Sequence, residues 1–144
     1  MATRYFALIY GVVFLLVGIA GFVPALRTPI DMDVHLAIDG TSGRLFGLFP
    51  INSLHNVVHL AFGVWGIVAY RTFPASRVYA RSVAIIYAVL TIMGLIPGLK
   101  TMFGLVPLYS HDVWLHALLA IVAAYFGFAR PVEEHARPTV TRRG

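Results

Sequence analysis

Apolar residues run almost without interruption through four stretches of the chain: between Arg4 and Arg27, from about Ser53 to Tyr70, from about Arg77 to Ile96, and from about His111 to Phe128. A helix rises about 1.5 Å per residue, so roughly 20 apolar residues cross a hydrocarbon layer about 30 Å thick. Each stretch therefore predicts a membrane-spanning helix. Spanning strands are not expected, because the runs are continuous rather than alternating and an open sheet edge cannot be satisfied in lipid. The chain reads as all-α, a four-helix transmembrane domain over residues 1–130. The Pro-, Arg- and Glu-containing residues 131–144 predict a disordered cytoplasmic tail whose basic end at most touches anionic lipid.

Composition agrees. Hydrophobic residues make up 59% of the 144, charged residues 12%, and the mean hydropathy is +0.81, whereas a soluble domain carries about 25% charged side chains. A water-soluble fold of this size could not hide so much apolar surface. With 0 cysteines, disulfides, iron–sulfur clusters and thiolate metal sites are excluded. Six histidines and four methionines are left as softer ligands.

A cytoplasmic N-terminus puts Arg4, Arg71, Arg77, Arg81, Arg130, Arg137, Arg142 and Arg143 inside and leaves only Arg27, Arg44 and Lys100 outside. Basic residues concentrate on cytoplasmic flanks, so both termini are read as inside. Asp31, Asp33, Asp39 and Asp112 then fall outside. This topology accounts for the sequence pI of about 10.0, and nucleic acid is not expected as a partner because the basic residues form no stripe on one folded face.

An internal repeat sharpens the picture. Gly21 to Thr28 reads G-F-V-P-A-L-R-T and Gly94 to Thr101 reads G-L-I-P-G-L-K-T, with Arg4 and Arg77 at matching distances upstream. Phe46 to Pro50 reads F-G-L-F-P and Phe103 to Pro107 reads F-G-L-V-P; a serine follows each second proline at plus three (Ser53, Ser110) and a histidine at plus nine (His59, His116). The expectation is two helix-loop-helix repeats, about 4–70 and 77–128, with about sixteen extra residues in the first loop. Two helices per repeat make both copies cross in the same sense, so the pseudo-two-fold axis should lie along the membrane normal. Helix one has the layout of a cleavable signal sequence, but its exit sequence recurs inside the chain, so it is read as a retained span.

The repeat also gathers polar residues. His35, His55, His59, His111 and His116 share the outer side, and His135 alone lies in the tail. With Ser53 and Ser110 as helix caps, His59 and His116 stand six residues in, about 9 Å down the axis, at matching depth. One turn above them, at i,i+4 spacing, come His55 and Asp112. Imidazole suits zinc, copper, iron and nickel, and a pair of histidines on facing helices, here His59 and His116, is also the axial set of a b-type haem. His55, His59, Asp112 and His116 are thus candidate ligands for a divalent transition metal, with Asp31, Asp33 and His35 as additional loop donors. A structural reading competes: these histidines can hydrogen-bond the Pro50 and Pro107 loops and knit the repeats, with Asn52, Asn56 and Ser110 as partners.

Other chemistries drop out. The spans contain no glutamate for a di-iron bundle, since Glu133 and Glu134 lie in the tail. No G-x-S-x-G, H-E-x-x-H or phosphate-binding glycine motif is present. Ala80, Ala84 and Ala88, Gly63 and Gly66, and Ala120, Ala123, Ala124 and Gly127 read as close-packing positions between helices. Tyr5, Tyr70, Tyr79, Tyr109, Trp65 and Trp114 read as interface anchors in preference to a pigment or quinone pocket.

The run L-F-G-L-F-P-I-N-S-L-H-N-V-V-H-L from Leu45 to Leu60, followed by Gly63 and Gly66, resembles a family of small bacterial four-helix membrane proteins, domain of unknown function 4383. The resemblance extends from Tyr5 to about Phe128 and includes W-L-H at Trp114 to His116. It implies a multi-pass protein of the bacterial cytoplasmic membrane and transfers no activity, cofactor or catalytic residue. Two functions follow from the residues: a protein that binds metal or haem through its outer histidine cluster, or a non-catalytic accessory subunit whose helices dock on membrane-protein partners or on a second copy, the cluster being structural.

Overall fold

The computed structural model describes residues 1–29 and 36–129. Asp31, Asp33 and His35, and the tail carrying Glu133, Glu134 and His135, lie outside the described residues. Four α-helices follow one another: α1 Ala2–Ala20, α2 Ser53–Ala69, α3 Phe73–Leu95 and α4 His111–Ala124. A π-helical turn, Tyr125–Ala129, continues α4. Three helical segments are long and apolar enough to cross a membrane: Ala2–Ala20, Phe73–Leu95 and His111–Ala129. At 17 residues α2 is apolar but shorter. Apolar side chains such as Ile9, Leu16, Ile85, Ile92, Leu118 and Ile121 stay exposed on the outside of the bundle. That surface suits lipid and not water, and it marks a membrane protein.

Helix α3 begins four residues ahead of the expected Arg77, because Thr72 caps it by accepting from the Ala75 N–H and Pro74 suits the first turn. The cap of α2 is a correction: Asn52, not Ser53, accepts from the His55 N–H at 2.9 Å. Ser110 holds the N-cap position of α4 but makes no capping bond; its hydroxyl lies 3.2 Å from His111 Nδ1. The first loop also holds a small antiparallel sheet, β1 Arg27–Thr28, β2 Gly43–Leu45 and β3 Phe49–Ile51, in the order β1-β2-β3. It pairs Arg27 with Leu45 and Leu45 with Phe49.

The helices pack chiefly as α1 on α2 and α3 on α4. Glycines permit the approach: a Cβ on Gly11 would come within 2.8 Å of the Gly63 carbonyl, and one on Gly66 within 2.7 Å of the Ala7 carbonyl. Phe6 lies 6.4 Å from Tyr79 and Phe14 lies 5.5 Å from Tyr87, stacked at 15°, so α1 and α3 run in the same sense. The α1–α2 and α3–α4 loops meet at one end of the bundle. There the Ala37 N–H donates to Gly104 O at 2.8 Å, and Asn52 Nδ2 donates to Ile38 O at 2.9 Å and Leu105 O at 2.7 Å.

The two helix pairs bury corresponding positions. On α1 the buried Thr3, Phe6, Ala7, Gly11 and Phe14 match the buried Ser76, Tyr79, Ala80, Ala84 and Tyr87 of α3 at a constant offset of 73. On α2 the buried His55, Asn56, His59, Gly63 and Gly66 match Asp112, Val113, His116, Ala120 and Ala123 of α4 at an offset of 57. The turns match as well: Phe46 and Gly47 have φ of 53° and 73°, Phe103 and Gly104 of 59° and 85°. At the opposite end Arg4 Nε donates to Tyr70 O at 2.7 Å, and Arg77 Nε donates to Gly127 O at 3.1 Å, positions related by the same two offsets. Tyr79 corrects its expected role as an interface anchor, being 0% exposed in the central aromatic packing. Ala88 lies on the exposed face of α3, unlike Ala80 and Ala84.

Candidate metal centre

Four polar side chains converge beneath the loops, two from the first turns of α2 and two from the first turns of α4. His55, His59, Asp112 and His116 are all buried, Asp112 and His116 to 2% exposure. Asn52 fixes the start of α2 through its cap and its two carbonyl bonds, which sets the direction in which His55 and His59 project. Aromatic rings hold the histidines from below. Phe14 meets the His59 ring edge-on at 5.3 Å and 89°, and Tyr87 meets His116 at 4.9 Å and 89°.

His55, Asp112 and His116 each bring one ligand atom to within 4.8 Å of the other two. His59 stands next to this group: its Nε2 lies 2.9 Å from His55 Nε2, a hydrogen bond in which one ring donates and the other accepts. That separation is shorter than the roughly 3.3 Å between two nitrogens on a tetrahedral ion with bonds near 2.0 Å. His55 Nδ1, His59 Nδ1, His116 Nδ1 and Asp112 Oδ2 are buried and have no hydrogen-bond partner among the described residues. The Pro50 carbonyl lies close to the His55 ring without forming a bond of good geometry. Buried polar groups are nearly always bonded, and an unmet carboxylate oxygen in an apolar bundle is costly unless a cation or a donor meets it. Four such atoms in one cluster are left unmet by the described residues.

The sequence-expected residues thus divide. His55, His59, Asp112 and His116 are brought together; His111 is exposed beside Ser110 and stands outside the cluster. Asparagines tie the loops together: Asn52 bridges to Ile38 and Leu105, and Asn56 Nδ2 donates to Thr41 Oγ1 at 3.2 Å, while the Pro50 carbonyl lies close to the His55 ring. Sequence reasoning missed Phe14 and Tyr87 as supports of the histidines, although their spacing of 73 was the available signal.

Two cavities flank the cluster. The larger, about 190 Å³, lies between α2 and α3 and is walled by His55, His59 and His116 with Val58, Phe62, Leu90 and Val106 among its apolar lining. The smaller, about 80 Å³, is bounded by Val17, Phe49, Leu115, Asp112 and the same three histidines.

Residues 4–129 match the family model described as a domain of unknown function (DUF4383). The chain belongs to this family. No curated protein and no solved structure matches it. Membership therefore brings a family frame over nearly the whole helical domain, and the chemistry rests on the cluster itself.

Proposed function

We propose that this family member is a four-span protein of two parallel helix-loop-helix repeats, both termini cytoplasmic, whose outer end binds a divalent transition metal through His55, Asp112 and His116. The observation that carries the reading is the convergence of three buried ligand groups, each with an unpartnered atom, within 4.8 Å. Two imidazoles and one carboxylate form the donor set of zinc sites with an open position and of non-haem iron sites. A bare ion suits the space better than a haem. A cavity of about 190 Å³ is below the roughly 300 Å³ at which pockets begin to take drug-sized ligands. His59 then orients His55 from outside the first coordination shell, as the outer partners of metal-bound histidines commonly do.

The repeat reading is supported by the coincident buried positions, the paired left-handed Phe-Gly turns and the paired arginine bonds. The topology is supported by the distribution of basic residues, with α2 at the short end of spanning length. Metal analysis of protein purified in mild detergent tests the site: the expected result is about one ion per chain, lost in Asp112→Ala and His116→Ala and kept in His111→Ala. Absence of stoichiometric metal after loading with zinc, iron and cobalt in turn removes the reading. Single cysteines placed at Ala2 and Phe103 in this cysteine-free chain test the topology, Phe103 labelling from outside only and Ala2 only after the membrane is opened.

A further inference from the structure

Two arginines share one acceptor at the end of the bundle away from the cluster. Arg77 Nε and Arg81 Nε both donate to Gly127 O, at 3.1 and 2.9 Å, so the two Nε atoms lie within about 6 Å of each other, the sum of the two bonds. Gly127 belongs to the π-helical turn Tyr125–Ala129, and the last carbonyls of a helical segment have no partner along it. Without a side chain it lets that turn approach α3: a Cβ there would come within 3.0 Å of the Arg81 backbone nitrogen. Residues four apart share a helix face, and like charges there repel. Among the described residues no carboxylate offsets them, since Asp39 and Asp112 are the only acids and both belong to the opposite end. Each guanidinium has five N–H groups and uses one on the shared carbonyl.

The first half lacks this pair. Arg4 corresponds to Arg77 at the offset of 73 and donates to Tyr70 O, but the position corresponding to Arg81 is Leu8. One arginine on the carbonyl therefore suffices to close that end, and the second is additional to the shared frame. Arg81 is the ninth residue of α3, about 12 Å along a helix long and apolar enough to cross a membrane. Val78 and Ile85, three residues before it and four after, are 56% and 58% exposed, and its guanidinium lies 5.2 Å from the Phe128 ring centroid. Helical side chains tilt toward the N-terminus, so both arginines reach back along an apolar flank toward the membrane surface. The anion met there, with hydrocarbon on one side and headgroups on the other, is a lipid phosphate. Ionisable groups within spanning segments mark functional sites, and basic sites between spanning helices take phospholipid headgroups. Guanidinium N–H groups match phosphate oxygens in geometry as well as charge.

We propose that Arg77 and Arg81 bind the phosphate of one phospholipid of net negative charge, whose acyl chains lie along Val78, Ile85 and Phe128. The leaflet that supplies it follows the topology proposed above; the site itself rests on neither that topology nor the metal.

The test uses the full chain in a non-ionic detergent and native mass spectrometry, which counts the lipids on each chain, during titration with dioleoylphosphatidylglycerol or dioleoylphosphatidylcholine. A micelle has no sides, so the outcome is independent of topology. One phosphatidylglycerol per chain is expected, bound at least about tenfold more tightly than phosphatidylcholine, the low end for a hydrogen bond to a charged group. Arg81→Leu, which gives the second half the residue of the first, should weaken phosphatidylglycerol binding at least about tenfold by the same measure; Arg77→Gln carries the same test should Arg81→Leu fail to fold. Arg71→Gln removes one exposed positive charge from the same end and should change the affinity less than about threefold. The proposal is overturned by equal binding of the two lipids, by unchanged binding in a folded Arg81→Leu or Arg77→Gln protein, by an equal loss in Arg71→Gln, which would signal diffuse charge, or by displacement of the lipid with ammonium phosphate, which would signal a site for soluble anions. Changing Glu133 and Glu134 together to Gln separates the lipid from the chain's own carboxylates. A rise in lipid affinity of about tenfold or more would make those carboxylates the occupants and overturn the proposal; a smaller change is expected.

Discussion

The first and second helix pairs bury corresponding positions and differ where they meet. Both carry an arginine that caps the far end, a buried aromatic ring under a histidine, and a left-handed Phe-Gly turn above it. Yet the position one turn above that histidine is His55 in the first pair and Asp112 in the second, and the cavity lined by Phe49 holds about 80 Å³ against about 190 Å³ for the one lined by Val106. A symmetric pair would present two equal clefts and two like groups. The difference brings two imidazoles and one carboxylate together, with a larger apolar space on one side than on the other. Divergence is concentrated within a few side chains of the cluster, while the packing positions farther down, Ala7 with Ala80 and Gly66 with Ala123, keep their small size.

The comparison is broken most severely by removing what the halves do not share. Asp112→Ala should weaken metal binding beyond the 10–100-fold typical of outer-shell changes, whereas His59→Gln should stay within that range; isothermal titration with zinc reads both. Asp112→His, which makes the halves alike, should leave a site of altered geometry that still binds metal, so that its loss would argue against a shared site. Next in size come the paired aromatics. Phe14→Ala and Tyr87→Ala should each cost about 3 kcal/mol, at the low end for aromatic truncation because lipid and not water surrounds the bundle, and the two values should agree within about 1 kcal/mol if one axis relates them. Chemical unfolding in mixed micelles measures this.

Four helices were legible in the sequence as four long apolar runs. The matched F-G-L-x-P blocks correspond to two turns with the same unusual backbone, Phe46-Gly47 and Phe103-Gly104. Other features left no local trace. Strands of two or three residues show no period, so the sheet that fills the first loop was invisible. Asn52 and Ser53 are equally good caps by type, and the choice is made by tertiary bonds from Asn52 to Ile38 and Leu105. Tyr79 near a helix end reads as an anchor unless it is set against Phe6 at the repeat offset, which places it inside. The pairing of His59 with His55, in place of a pairing with His116, depends on ring orientation, which spacing alone does not fix.

Smaller effects sharpen the account at the two ends. A Cβ on Gly21 collides with the Asn56 amide, and one on Gly94 with the Leu108 backbone carbonyl. A side chain can turn aside and a backbone cannot, so Gly94→Ala should cost more than Gly21→Ala, both within the roughly 1–3 kcal/mol of overpacking. At the opposite end Tyr70 O accepts from Arg4, while Gly127 O accepts from Arg81 at 2.9 Å as well as from Arg77. Arg4→Gln should therefore destabilise by about 1 kcal/mol and Arg77→Gln by less, as thermal unfolding of the two variants would show.

The central claim is that the halves converge on one ion held by His55, Asp112 and His116. X-ray absorption at the metal edge of the loaded protein tests it most directly. The predicted shell has two imidazoles and at least one oxygen at about 2.0–2.2 Å, unchanged in His59→Gln and reduced to one imidazole in His116→Ala. A shell without imidazole, or one that loses an imidazole in His59→Gln, would contradict it.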